Sequence, residues 1–351
     1  MKIGFLVQNS YCGHSYVSKT FADALINEDE IYMFATEGTK HTDNSFWENY
    51  NVYHSTSKKY GIDDSNYQEF FKWIADNKIE AIFLNEYLDW NLIHALKEKG
   101  IKIFGYIYYC KTEDVPYIRH YFDAMFIPSE NLYEILVDLK NCHFIPWGIK
   151  TDDFKVEDGQ YDFIHSAGWG GIHFRKCTPE IVRAFDRLGE GTMFLHTQIP
   201  YFDTATKDRI QKLRATGRLK VKLGTTDNPD FYNQGKVYLG VSKFEGLGLF
   251  VPEALACGLP VVTTNRLPMA QFIEDEHNGW LIDSEVREGV EGFALESYKI
   301  DEDHLLKTMQ DIMKGKYDLK AMKKDARSYI IKNHDFETVF KPRVKEIIKE
   351  L

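Results

Sequence analysis

Along the first 150 residues the chain alternates between two kinds of hydrophobic pattern. Short, nearly unbroken apolar runs at 2–7, 31–35, 81–84, 103–108, 124–127 and 143–145 have the length and composition of strands buried on both faces. Between them the apolar positions follow a helical period. Val17, Phe21, Ala24 and Leu25 fall on one stripe, and Phe70, Phe71 and Ile74, then Leu92, Ile93 and Leu96, repeat the signature. Alternation of this kind predicts a parallel sheet covered by helices on both sides.

Pro146-Trp147-Gly148 and the polar stretch 150–160 interrupt the pattern and read as a linker. The alternation then restarts, with strands at 162–166, 192–196, 219–223, 237–241 and 260–263 and helices at 179–188 and 205–215. Three more helical patterns follow at 304–313, 320–331 and 336–348. The predicted fold class is α/β, with two doubly wound, Rossmann-like domains at 1–148 and 149–334. A final helix over about 335–351 is expected to pack back on the first domain. Ligands of such sheets bind beyond the carboxyl ends of the strands, so the expected site is a cleft between the two domains.

A length of 351 residues agrees with two cores of roughly 150 residues each. The charge balance, 43 basic minus 53 acidic residues or −10, offers no overall cationic surface for nucleic acid, though a local basic patch is left open. Cys12, Cys110, Cys142, Cys177 and Cys257 are odd in number and widely spaced, which suggests neither a zinc site nor a disulfide framework. Met1-Lys2 leads straight into a strand, and no run approaches the ~18 apolar residues of a spanning helix. A cytoplasmic location is expected, with peripheral membrane contact left open. The basic stretch 314–332 reads as a solvated face.

The most informative segment runs from Phe244-Glu245-Gly246-Leu247-Gly248-Leu249-Phe250-Val251-Pro252-Glu253 to Ala254-Leu255-Ala256-Cys257-Gly258-Leu259-Pro260. Pro252 suits the first position of a helix and Gly258 its left-handed stop, which makes 246–251 a tight loop after a strand. Glycines let such a loop approach a ligand, and a helix N-terminus offers N–H groups to an anion. Each feature alone also fits a structural role: Glu253 complementing the helix dipole, the glycines turning the chain.

Together, in this order, the segment resembles retaining glycosyltransferases of the GT-B fold, family 4 in particular. Glu245 and Glu253, eight positions apart, match that family's paired glutamates. Asn278-Gly279-Trp280-Leu281-Ile282-Asp283 and Phe144-Ile145-Pro146-Trp147-Gly148-Ile149 resemble two further family segments. The resemblance implies that Glu245 faces the donor sugar and Glu253 holds the nucleotide ribose. It also implies that the loop at Gly246, Leu247, Gly248, Leu249 and Phe250 meets the sugar or the diphosphate. Arg175-Lys176, before Thr178 as N-cap and Pro179 in the first turn, is the cation pair expected to stabilise the departing diphosphate. The family usually has an arginine about five residues before that lysine, where this chain has Gly168-Trp169-Gly170-Gly171.

On the acceptor side, Gly13 and His14 follow the first strand, where many such enzymes face the acceptor. A lone glycine there is not the G-x-G-x-x-G pattern of a dinucleotide site. Tyr108 and Tyr109 follow the strand at 103–108, where the family often has a histidine, and are candidates to line the sugar pocket. Asp301-Glu302-Asp303 precedes a helical pattern and reads as a cap with dipole complementation, so no metal site is expected.

The function implied is transfer of a sugar from a UDP- or GDP-linked donor to a glycan, lipid or other hydroxyl. The anomeric configuration is retained, and neither cofactor nor metal takes part. A non-catalytic nucleotide-sugar-binding subunit and a sugar-nucleotide epimerase are the alternative readings. The base, the sugar, the acceptor and the oligomeric state are not encoded in these motifs.

Overall fold

Seven parallel strands form the first sheet: β1 (Lys2–Asn9), β2 (Glu30–Glu37), β3 (Asn51–His54), β4 (Ala81–Asn85), β5 (Lys102–Tyr106), β6 (Ala124–Ile127) and β7 (Cys142–Phe144). Their spatial order is β3-β2-β1-β4-β5-β6-β7. The structure is a computed structural model and describes every residue except 11, 38–43, 58, 169–174, 199–202, 225–227 and 290–295. Ile3, Phe5, Leu6 and Val7 of the central strand are all fully buried, because both faces of the sheet are covered. The helices of this unit are α1 (Gly13–Leu25), α2 (Tyr67–Asn77), α3 (Trp90–Glu98), α4 (Val115–Tyr121) and α5 (Glu130–Leu136). Strand order reverses direction between β1 and β4, so the loops leaving those two strands part and open a crevice at their carboxyl ends.

The second unit repeats the plan with β8 (Tyr161–Ser166), β9 (Met193–Thr197), β10 (Leu219–Leu223), β11 (Gly235–Leu239), β12 (Val261–Thr264) and β13 (Gly279–Ile282), ordered β10-β9-β8-β11-β12-β13. Its reversal lies between β8 and β11. Helices α6 (Thr178–Leu188), α7 (Thr204–Ala215), α8 (Asn228–Tyr232), α9 (Phe250–Ala256), α10 (Glu302–Met313) and α11 (Leu319–His334) belong to it. So does an antiparallel hairpin of β14 (Ser284–Gly289) and β15 (Glu296–Ile300). The two compact units are Met1–Gly148 with Glu337–Leu351, and Ile149–Phe336. The chain returns to the first unit through a π-helical turn, Phe336–Phe340, and α12 (Lys341–Lys349). There Phe340 meets Phe21 of α1 at 5.1 Å between ring centroids, and Lys345 pairs with Glu28.

Several expectations shift in detail. The strand expected over 103–108 stops at Tyr106, which leaves Tyr108 and Tyr109 in the following loop. The short edge strand β3 and the charged β14–β15 hairpin lack any apolar run that would announce them. Two cations of the basic stretch are structural rather than merely solvated. Lys323 binds Asp158, and Arg327 donates to the carbonyls of Ala256 and Thr151. Among the described residues no helix is long and apolar enough to cross a membrane.

Gly279 in the Asn-Gly-Trp segment is required by contact. A Cβ there would lie 2.3 Å from the carbonyl oxygen of Val261 on the paired strand, and backbone cannot swing aside. Gly13 has open space around its Cβ direction. Gly279→Ala is therefore expected to cost about 1–3 kcal/mol or more, and Gly13→Ala to stay within about 0.5 kcal/mol of the parent. Urea unfolding midpoints check both; equal midpoints for the two variants would contradict the close strand approach.

Candidate functional site

The chemistry of the second unit gathers at the carboxyl ends of β8 and β11. Leaving β11, the chain crosses Gly240, where a Cβ would meet Phe250 at 2.5 Å and Tyr238 at 2.6 Å. Glycine there lets the Phe250 ring seat under the strand end. The loop continues through Glu245, which is only 4% exposed. Gly248 adopts φ +76°, the left-handed turn that feeds α9. That helix begins at Phe250, so Pro252 is its third residue rather than its first. Proline is tolerated there because the N–H groups of the first turn have no intrahelical partner to lose. Gly258, at φ +74°, ends the helix as expected.

Buried Glu245 has three polar partners. Its Oε1 accepts from Lys176 Nζ at 2.6 Å and from Ser242 Oγ at 3.0 Å, and its Oε2 lies 3.3 Å from Arg175 Nη1. Lys176 also lies over the Phe250 ring, with Nζ 3.9 Å from the centroid. Burial pulls the ammonium below the usual lysine range, an effect that Glu245 opposes and Arg175 reinforces. Adjacent in sequence, Arg175 and Lys176 converge on one carboxylate, while the left-handed turn at Cys177 (φ +49°) carries the chain on into α6. Glu253, in the first turn of α9, accepts from Tyr232 OH at 2.8 Å. Leu247 and Gly248 of the loop are buried and Leu249 is half-buried.

Thr178 does not cap α6 with its side chain, contrary to its reading as an N-cap. Its hydroxyl is taken by buried His165, whose Nε2 lies 2.8 Å from Thr178 Oγ1 and whose Nδ1 lies 2.7 Å from the Leu239 carbonyl. The ring thus donates from Nδ1 to the end of β11 and accepts at Nε2, tying β8, β11 and α6 together beneath the cation pair. Sequence reasoning passed over His165, Tyr232 and Ser242. A histidine inside a strand carries no spacing signal, and the other two are ordinary helix and loop residues until the fold closes.

The acidic triplet has structural partners. Asp301 caps α10 through the Asp303 and His304 N–H groups, Glu302 pairs with Arg183, and Asp303 pairs with Arg187. Of the glycine-rich segment, Gly168 turns at φ +61°, while Trp169, Gly170 and Gly171 lie outside the described residues. The remaining candidates sit in the first unit. Gly13 is the first residue of α1 and is exposed; His14 follows it and contacts the Asn85 carbonyl at 2.7 Å. Tyr108 stands against Tyr109, with 5.4 Å between ring centroids.

Burial brings the His165 imidazole down to about 4 from its ordinary 6.5. Between those values the unfolded chain binds a proton that the folded chain does not, so stability falls as pH drops through that window. The expected loss is about 3 kcal/mol between pH 7 and pH 4 from this one ring. Urea unfolding at stepped pH checks it. His165→Gln should flatten that part of the acid limb, and an unchanged limb would remove His165 as its cause.

Residues 202–292, which include Glu245, the loop and Glu253, match the family model described as glycosyl transferases group 1. The chain is 30% identical over 141 residues to the GtfA subunit of a UDP-N-acetylglucosamine–peptide N-acetylglucosaminyltransferase from Streptococcus pneumoniae, a match covering 40% of this chain and 25% of that protein. It is 38% identical over 73 residues to an uncharacterized glycosyltransferase of Haemophilus influenzae, covering 20% of this chain and 21% of that one. The chain therefore matches only about a quarter of the length of these curated relatives. Similarity of fold extends over the whole chain. A glycosyltransferase from Rickettsia africae superposes with a TM-score of 0.78 at 14% identity, covering 100% of this chain and 99% of its own. Anabaena HepE in complex with UDP and glucose gives 0.76 at 14% identity, covering 100% of both chains. The chain has the GT-B fold and carries, in its second unit, the sequence module of the glycosyl transferases group 1 family.

Proposed function

We propose that the protein moves a sugar from a nucleoside-diphosphate donor, UDP-linked by preference, to a hydroxyl of a carbohydrate-bearing or lipid-linked acceptor. Transfer retains the anomeric configuration and uses no metal ion. The observation that carries this reading is the convergence of Lys176 and Arg175 on Glu245, beside Phe250, at the strand-order reversal of the second sheet. The preference for uridine follows the donor named for the pneumococcal relative and the UDP bound by HepE.

In this reading the bond between the anomeric carbon and the diphosphate oxygen breaks, and its electron pair leaves on the diphosphate. Lys176 and Arg175 stabilise the charge that develops there, with donors already oriented before the donor binds. Glu245 holds the two cations in place and faces the sugar. Glu253, set in α9 and held by Tyr232, accepts from the ribose hydroxyls. Charge supplied by the cation pair is the reason for expecting a metal-free reaction, and retention follows from the resemblance carried by the two glutamates.

Lys176→Ala is expected to weaken UDP binding about 10- to 100-fold, the worth of a charge-assisted hydrogen bond of about 1.5–3 kcal/mol. Uridine binding should be left alone. Calorimetry with both ligands checks this, and equal losses would place Lys176 away from the phosphates. Glu253→Ala should instead lower the affinity for UDP and uridine together, by about 1–3 kcal/mol. Transfer should persist in excess chelator, and the anomeric proton coupling of the product by NMR should match the donor's. Activity lost to chelation and restored by one divalent ion, or an inverted product, would overturn the corresponding half.

A further inference from the structure

The hairpin of β14 and β15 belongs to neither parallel sheet. Its base is anchored three times. The Asp301 N–H donates to the Asp283 carbonyl at 2.8 Å, and Arg266 donates to the carbonyl and hydroxyl of Ser284 at 2.9 and 3.2 Å. The same guanidinium lies 5.3 Å from the centroid of the buried Tyr298 ring. From this base a main-chain relay runs into the candidate site. The Tyr298 N–H donates to the Lys243 carbonyl at 2.8 Å, and the Lys243 N–H donates to the Arg175 carbonyl at 2.7 Å. Lys243 is held a third time, by its side chain. Its Nζ lies 3.5 Å from Oε1 of Glu180 in the first turn of α6. Arg183 Nη2, which binds Glu302, stands 3.9 Å from that oxygen. Burial raises the Cys177 thiol above its ordinary range, and the next charges it feels are Glu180 and Lys243, ahead of Glu245. The brace and the cation pair therefore meet at one turn.

We infer that Lys243, clamped by the Tyr298 N–H and the Glu180 carboxylate, is a positioning residue that aims Arg175. In the sugar-transfer reading above, on which this rests, Arg175 meets the donor diphosphate. The two cations are fixed differently. Lys176 is 14% exposed, lies on the Phe250 ring and touches Glu245 at 2.6 Å. The Arg175 side chain is 36% exposed and its contact with Glu245 is longer, 3.3 Å. Less enclosed by packing, Arg175 takes its direction from its main chain, whose carbonyl the relay holds. A long side chain gives up rotamer freedom when it meets a ligand, and a fixed main-chain origin limits that loss. Lys243 acts through its backbone, because its ammonium is engaged by Glu180. The hairpin thus steadies a phosphate contact without touching the ligand.

A double-mutant cycle with Arg175→Ala tests this on the full chain, with UDP and uridine binding read by calorimetry. Tyr298→Pro deletes the donating N–H, whereas Tyr298→Phe keeps it. Tyr298→Pro should weaken UDP about fivefold and leave uridine unchanged, and Tyr298→Phe should stay within about twofold of the parent. In the Arg175→Ala background, Tyr298→Pro should cost UDP binding nothing further. A loss that persists undiminished there, or one shared equally by uridine, overturns the assignment. Should Tyr298→Pro fail to fold, Lys243→Met takes its place in the cycle; it removes the Glu180 pair and should cost UDP about threefold, again only when Arg175 is present. If UDP does not bind the parent, the donor reading falls, and the order of the Arg175 Nε–H bond in the unliganded chain decides the brace. Its NMR order parameter, with the resonance identified by its absence in Arg175→Lys, should drop by about 0.2 in Tyr298→Pro or Lys243→Met and hold in Tyr298→Phe. An unchanged order parameter overturns the brace.

Discussion

Burial of each parallel sheet on both faces is the constraint from which the rest of this structure follows. A strand such as β1, with Ile3, Phe5, Leu6 and Val7 all removed from water, has no face on which to display a polar group. Chemistry is driven to the carboxyl ends, where the chain leaves the sheet. Where strand order reverses, neighbouring loops diverge and leave room there. Both units obey this: Lys176, Arg175 and Glu245 meet at the reversal of the second, and His14, Asn85 and Glu86 stand at that of the first.

The two collections differ in kind. In the second unit the crevice is ionic: Lys176 and Arg175 meet Glu245, and the ammonium lies on the face of Phe250. Removing such charges from water costs several kcal/mol per ion, which offsets much of the attraction between them. Neutral His165 supports it from below, because a hydrogen-bonded imidazole inside the sheet fixes α6 without adding a competing charge. In the first unit the crevice holds the carboxyl of Glu86 among tyrosines and neutral polar groups.

Two of the four described non-glycine residues with positive φ fall at the same places, the other two being Lys78 after α2 and Glu276 in the turn before β13. Cys177 and Glu86, both with positive φ, stand beside Lys176 and at the end of β4 respectively. Each conformation costs about 1–3 kcal/mol for a residue with a side chain and persists because surrounding hydrogen bonds over-determine it. The helices and strand interiors, by contrast, follow ordinary geometry.

Much of this was legible in the sequence because it depends on local patterns. Apolar runs and helical stripes marked most strands and helices, and the segment from Glu245 to Glu253 marked the strand-loop-helix turn of the second unit's candidate site, since backbone turns demand particular residues at particular spacings. What the sequence could not display was pairing across distance. The partnership of Arg175 and Lys176 with a carboxylate some seventy positions away, at 2.6 Å from Lys176, exists only once β8 and β11 lie side by side. His165 reads as an interruption in a strand until the Leu239 carbonyl and Thr178 arrive on either side of its ring. Glu86, which no motif singles out, is buried beside Tyr108 only when the sheet forms. Periodicity records which face of an element is dry; only the tertiary fold decides which polar groups are left to face one another where the dry surfaces end.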